Sequence, residues 1–256
     1  MHLNRTCLFA VIFVFAFGAL NIAPSIAASK DKEKQTKSTK VVVKSPKKPK
    51  AVRVTVTRAN APEVASPPSF ATALGLRGQH DDLSLKSSVA MVVNQDTKEV
   101  YFEKNPNVSL PIASITKLMT AMVVLDSRLP LDETIVINPE DAHIYRRSRL
   151  AEGTAMTRED ALHLALMASE NRAAYTLARN YPGGVPAFVD AMNRKARELG
   201  MDHSHFADPT GLLSENVSTA EDLTRMVNAA YQYKLIRDYS TWPDLTMVIA
   251  KRPQKF

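Results

Sequence analysis

Near residue 70 the composition of this 256-residue chain changes abruptly, and the break limits what can fold. Residues 28–69 carry eleven Lys and Arg, from Lys30 to Arg58, against Asp31, Glu33 and Glu63, a local charge of +8. Pro46, Pro49, Pro62, Pro67 and Pro68 interrupt the stretch. The short runs Val41–Val43 and Val52–Val56 are too brief to bury a face. A packed domain must therefore come from residues 70–256. Residues 28–69 read as a basic, disordered linker, either a solvated spacer or a segment drawn to anionic wall polymers and lipid head groups.

Residues 1–27 read as a secretory signal peptide. Arg5 supplies the positive start, Leu8 to Leu20 is an apolar run too short to cross a bilayer comfortably, and Ser25-Ile26-Ala27 offers small residues for cleavage. Export to the periplasm is expected. Cys7, the sole cysteine, lies inside this segment with no lipobox before it, so the mature chain would hold no cysteine, disulfide or thiolate metal site. The overall charge of +7 divides into +1 for the signal, +8 for the linker and −2 from Phe70 onward. The body is nearly neutral and lacks a basic stripe with interleaved aromatics, which removes the case for nucleic-acid binding.

Within the body, Ser88–Val93 and Val100–Phe102 flank Asn94-Gln95-Asp96-Thr97, a strand–turn–strand pattern in which Asn and Asp suit unusual backbone angles. From Ser114 the apolar residues Ile115, Leu118, Met119, Met122 and Val123 recur with helical period. Thr134–Ile137 is β-branched and stopped by Asn138-Pro139. Thr157-x-x-Asp160 predicts a capped helix through Met167, Pro186 and Gly200 bracket another, and Ser218-x-x-Glu221 predicts a cap for one running toward Tyr231. Leu245–Ala250 reads as a strand without a partner. The predicted class is α+β: one hairpin followed by a mostly helical stretch.

A Ser-x-x-Lys tetrad on a helix sets both side chains on one face, one turn apart. A desolvated, neutral lysine there can take the serine proton and create a nucleophile. Three tetrads occur, Ser29/Lys32, Ser45/Lys48 and Ser114/Lys117, and only the last opens an apolar helix. Ser-Glu-Asn occurs twice, at 169–171 after a helical run and at 214–216 in a turn-rich stretch. By itself either copy is as readily a helix N-cap as a functional element.

Taken together, Ile112-Ala113-Ser114-Ile115-Thr116-Lys117-Leu118-Met119 resembles the nucleophile segment of low-molecular-weight penicillin-binding proteins. Leu166-Met167-Ala168-Ser169-Glu170-Asn171 resembles their second motif, and Asp208-Pro209-Thr210-Gly211-Leu212 and Ser218-Thr219-Ala220 match further landmarks. Ser169-Glu170-Asn171-Arg172-Ala173-Ala174 and Tyr181-Pro182-Gly183-Gly184 look most like D-alanyl-D-alanine endopeptidases. The resemblance implies a DD-peptidase/β-lactamase-like transpeptidase fold with Ser114 as acylated nucleophile and Lys117 as general base. Ser169 would pass a proton to the leaving amine, and Asn171 would bind the substrate backbone and steady Lys117. The implied substrate is the D-Ala–diaminopimelate cross-link of peptidoglycan stems, with β-lactams as covalent mimics and no metal or organic cofactor.

The family's third motif, Lys-Thr/Ser-Gly, does not occur in the 256 residues. The resemblance then implies an incomplete fold lacking later sheet strands, a truncated copy of a longer enzyme, and little or no peptidase activity for this chain. A missing oxyanion donor alone costs about 10²–10³ in rate. Alternatives are a D-Ala-D-Ala carboxypeptidase and a non-catalytic wall-binding remnant. A class A β-lactamase fits less well without a Glu-x-x-Leu-Asn stretch. His203-x-His205 lacks carboxylate company for a metal, Arg146-Arg147-x-Arg149 reads as a solvated face, and Met119, Met122, Met167, Met192 and Trp242 read as packing.

Overall fold

The computed structural model describes residues 68–78, 81–144, 148–249 and 252–256. The signal segment, Cys7, all of the linker but Pro68 and Ser69, and Arg146 and Arg147 lie outside the described residues. A short helix, α1 (Phe70–Ala73), precedes strands β1 (Ala90–Val93) and β2 (Val100–Lys104). These pair antiparallel as the strand–turn–strand pattern predicts, Ala90 opposite Lys104 and Val92 opposite Phe102. Asn94 organises the turn by accepting from the amides of Asp96 and Thr97 at 2.9 and 3.0 Å. The left-handed residue is Lys98, at φ +63°, rather than the Asn or Asp that the sequence suggested.

After β3 (Leu110–Pro111) a 3₁₀ turn over Ala113–Ile115 leads into α2 (Thr116–Asp126). There follow β4 (Thr134–Val136), α3 (Pro139–Ile144), β5 (Ala155–Thr157), α4 (Arg158–Met167), α5 (Asn171–Arg179) and α6 (Gly184–Glu198). The described chain closes with β6 (Val217–Ser218), α7 (Ala220–Ala230), α8 (Lys234–Ser240), β7 (Thr246–Ile249) and β8 (Arg252–Lys255). The fold is mixed α and β, with four two-stranded antiparallel ladders among the described residues: β1–β2, β3–β6, β4–β5 and β7–β8.

Helix α2 turns no polar stripe to solvent, and from Thr116 to Val124 every residue but Leu118 is buried. A helix enclosed on all sides must be surrounded, and α2 packs against α4, α5, α6 and α7. Met119, Met122 and Met192 fill this core with no exposure, whereas Met167 is only half-buried. The β3–β6 pairing places the entry to the 3₁₀ turn beside the exit of the 207–216 loop. The Ile112 amide adds a bond to the Asn216 carbonyl at 3.0 Å.

The Thr157 capping box forms as the sequence predicts, with Thr157 and Asp160 bonding each other's backbone amides. The later cap is displaced by one residue from the predicted Ser218/Glu221 pair. Thr219 accepts from the Asp222 amide at 3.1 Å, because Ser218 is committed to β6. The predicted lone strand also has a partner: Thr246–Ile249 pairs with Arg252–Lys255 in a local hairpin. Trp242 is not core but 51% exposed, with an edge against the His163 ring.

Asp141 at the start of α3 is fully buried and accepts from Thr176 Oγ1, Arg179 Nε and Nη2, and the Asn138 amide. It thereby ties α3 to α5. Asp141→Ala leaves the Arg179 guanidinium without its buried counter-ion, and a loss of about 3 kcal/mol in urea-unfolding free energy is expected.

Candidate active site

Ser114 sits in the 3₁₀ turn that enters α2, and its side chain is exposed. The preceding Ala113 takes φ +47°, a left-handed conformation costly for a residue with a Cβ, so the nucleophile turn is a strained one. One turn on, Lys117 is only 2% exposed. Its ammonium donates to Ser114 Oγ at 3.0 Å, Ser169 Oγ at 3.2 Å and the Thr210 carbonyl at 2.9 Å, which uses all three of its hydrogens. Burial pulls its pKa down from 10.5 to about 8, with the charges of Asp208 and Glu170 opposing that pull. A neutral fraction therefore exists near physiological pH, and a neutral amine between two hydroxyls can accept a proton from either.

Ser169 reaches Lys117 because α4 ends in a tight reversal. The amides of Ala168 and Glu170 both return to the Leu164 carbonyl at 3.1 Å, and Ser169 between them adopts φ +53°. Glu170, not Ser169 or Asn171, caps the next helix, its carboxylate accepting from the Arg172 amide at 3.3 Å. Asn171 begins α5, and its Oδ1 is buried without a hydrogen-bond partner among the described residues. The expected steadying of Lys117 by Asn171 is therefore not made. The Thr210 carbonyl occupies that third position, because burial on α2 turns the ammonium toward the 207–216 loop.

Sequence reasoning picked out Asp208–Leu212 in that loop as a landmark but gave it no part in the site. Asp208, Thr210 and Asn216 are buried, and Asn216 Oδ1 accepts from the amides of Ala207 and Asp208 at 2.8 and 3.2 Å. Asp208 receives Thr210 Oγ1, Asn216 Nδ2 and, at 2.9 Å, the Gly211 amide. Thr120, one turn after Lys117 on α2, donates to the Pro209 carbonyl at 2.6 Å. Gly211 takes φ +81°, and a Cβ there would lie 1.8 Å from the Ala113 carbonyl oxygen. The loop backbone is thus pressed directly onto the strained turn that presents Ser114. The second Ser-Glu-Asn, at 214–216, contributes its asparagine to this scaffold.

A profile of a family described as D-alanyl-D-alanine carboxypeptidase matches residues 77–255. The chain is 52% identical over 185 residues to a D-alanyl-D-alanine endopeptidase of Pseudomonas aeruginosa, covering 72% of this chain and 58% of the relative. It is 52% identical over 161 residues to a D-alanyl-D-alanine endopeptidase of Escherichia coli, covering 61% of this chain and 51% of the relative. The chain thus spans little more than half the length of these two curated relatives. Among solved structures, a D-alanyl-D-alanine carboxypeptidase of Mycobacterium tuberculosis superposes with a TM-score of 0.60 at 28% identity, covering 66% of this chain and 64% of that one. The Streptomyces K15 DD-transpeptidase does so with a TM-score of 0.59 at 27% identity, covering 65% and 70%.

Since the space beside Gly211 is filled by backbone of the Ser114 turn, Gly211→Ala cannot be absorbed by a side-chain rotation. The expected result is a loss of about 2 kcal/mol or more in unfolding free energy, with the largest amide chemical-shift changes at Ala113 and Ser114 rather than in α6.

Proposed function

The chain belongs to the D-alanyl-D-alanine carboxypeptidase family of peptidases, and from that premise we propose that it carries the acyl-serine machinery of a peptidoglycan D-alanyl-D-alanine endopeptidase. The observation that carries this reading is the Lys117 amine, buried and set between Ser114 Oγ and Ser169 Oγ at 3.0 and 3.2 Å. In its neutral form Lys117 takes the Ser114 proton while Oγ attacks the D-Ala carbonyl carbon of a D-Ala–diaminopimelate cross-link. The carbon–nitrogen bond breaks, and the leaving amine gains a proton passed from Lys117 through Ser169. Water then hydrolyses the ester, leaving a D-Ala carboxylate on one stem and a free amine on the other. Asn171, two residues after Ser169 and with its buried Oδ1 unfilled among the described residues, is assigned to the substrate backbone. A β-lactam enters by the same attack, its ring amide taking the place of the cross-link.

The endopeptidase reading rests on the 52% identity to two relatives of that name. A carboxypeptidase reading draws on relatives such as the Bacillus subtilis carboxypeptidase at 29% identity. The two separate on cross-linked muropeptide dimers: conversion to monomers is expected, and release of terminal D-Ala alone would shift the assignment. The location that goes with this function is the periplasm, reached through the signal-like residues 1–27, with the basic residues 28–69 attracting anionic wall or membrane polymers.

Labelled penicillin tests the chemistry directly. Mass spectrometry should find an adduct on Ser114, abolished in Ser114→Ala and in Lys117→Met. Since Lys117 must be neutral to act, the acylation rate should rise with pH, about fivefold from pH 7 to 8, and level off above about pH 9. A rate flat across that range would remove Lys117 from the role of base.

A further inference from the structure

We infer that Asp208 is a positioning residue for Lys117, acting through the Thr210 carbonyl that it and Asn216 hold against the ammonium. This rests on the reading of Lys117 as the base for Ser114. The geometry begins with what Asp208 does not do: it makes no hydrogen bond to Lys117, and its three partners are Thr210 Oγ1, the Gly211 amide and Asn216 Nδ2. All are neutral donors, so the carboxylate is satisfied without being neutralised. It is 5% exposed, held behind the loop, and acts on Lys117 through space. Asn216 fixes the other side, its Oδ1 taking the Ala207 and Asp208 amides while its own carbonyl binds Ile112 of the nucleophile segment. Thr120 anchors Pro209 from α2 itself. With Pro209 and Thr210 held from both ends, the Thr210 carbonyl has no freedom to turn away from Lys117.

The arrangement follows the logic by which a buried carboxylate orients a histidine base and stabilises the cation it becomes. When Lys117 takes a proton from Ser114, a positive charge appears in a site that disfavours it. The fixed carbonyl dipole and the Asp208 charge are what receive it. The groups facing Lys117 are the Ser114 hydroxyl from the 3₁₀ turn, the Ser169 hydroxyl and Glu170 from the reversal before α5, and Asp208 with the Thr210 carbonyl from the loop. Of the two carboxylates, Glu170 is occupied in capping α5 and is only half-buried, which leaves Asp208 as the dominant partner. Asp208 exerts the larger upward pull on Lys117.

Two measurements on the full chain test this. In the unaltered protein, carbon-13 NMR should show the Asp208 carboxyl and the Thr210 carbonyl inflecting at the same pH as Lys117 Cε, near pH 8. Asp208→Asn keeps the shape, can keep the bonds from Gly211 and Asn216 on its Oδ1 and reverse the one to Thr210 Oγ1, which its Nδ2 would then donate, but removes the charge. It should move the Lys117 midpoint down by about one pH unit, and the pH profile of penicillin acylation at Ser114 down with it. A purely structural role would lower the acylation rate at every pH and leave the midpoint in place. An unmoved midpoint in folded Asp208→Asn overturns the inference. If that variant does not fold, the absence of a shared inflection in the unaltered protein overturns it. If Ser114 is not acylated at all while the Lys117 midpoint still moves, the proposed function fails and the coupling stands.

Discussion

Burying helix α2 on every side places Lys117 where its charge is least welcome, and much of the site follows from how that problem is met. An isolated ammonium in a protein core costs several kcal/mol even after relaxation. The chain meets this with three acceptors and a lowered pKa rather than with a direct ion pair. A carboxylate in direct contact would have held the proton on Lys117. Two hydroxyls and a carbonyl satisfy the ammonium when it is present and still let it lose a proton.

Local strain is built into the segments that present those acceptors. Ala113 and Ser169 both take left-handed backbone angles, one immediately before the nucleophile and the other at the second hydroxyl. Neither is a glycine, so each conformation must be imposed by its surroundings. For Ala113 the surrounding is Gly211, whose missing side chain lets the 207–216 loop lie on the Ala113 carbonyl. For Ser169 it is the double return of amides to Leu164 at the end of α4. In both, a well-packed element holds the less stable turn in the shape that points a hydroxyl at Lys117.

Side chains in periodic or capped segments were legible from the residues alone. The hairpin, the helix after Ser114 and the Thr157 cap follow from apolar period and context. What escaped was backbone and register. The Thr210 carbonyl leaves no trace in side-chain chemistry, since any residue but for its geometry would supply the same oxygen. The cap at Thr219 shifted by one position because β6 claimed Ser218, a tertiary demand that a four-residue pattern cannot register. β8 went unseen because Pro253 and charged neighbours hide a strand whose partner is only two residues away. Trp242 also departs from expectation, lying 51% exposed in a T-shaped contact with the His163 ring.

The two Ser-Glu-Asn tripeptides show how far identical residues can be driven apart by context. At 169–171 the serine is exposed on a strained turn and bonded to Lys117, while the asparagine begins a helix with an unfilled oxygen. At 214–216 the serine bonds only its neighbour Glu215, and the asparagine is fully buried with its amide group spent on the loop. The first copy lends a hydroxyl to the lysine; the second builds the wall that supplies the lysine's carbonyl. Both therefore converge on the same ammonium, one through a side chain and one through the backbone it stabilises. A reading that asks only which copy is the motif discards half of the physical support for Lys117.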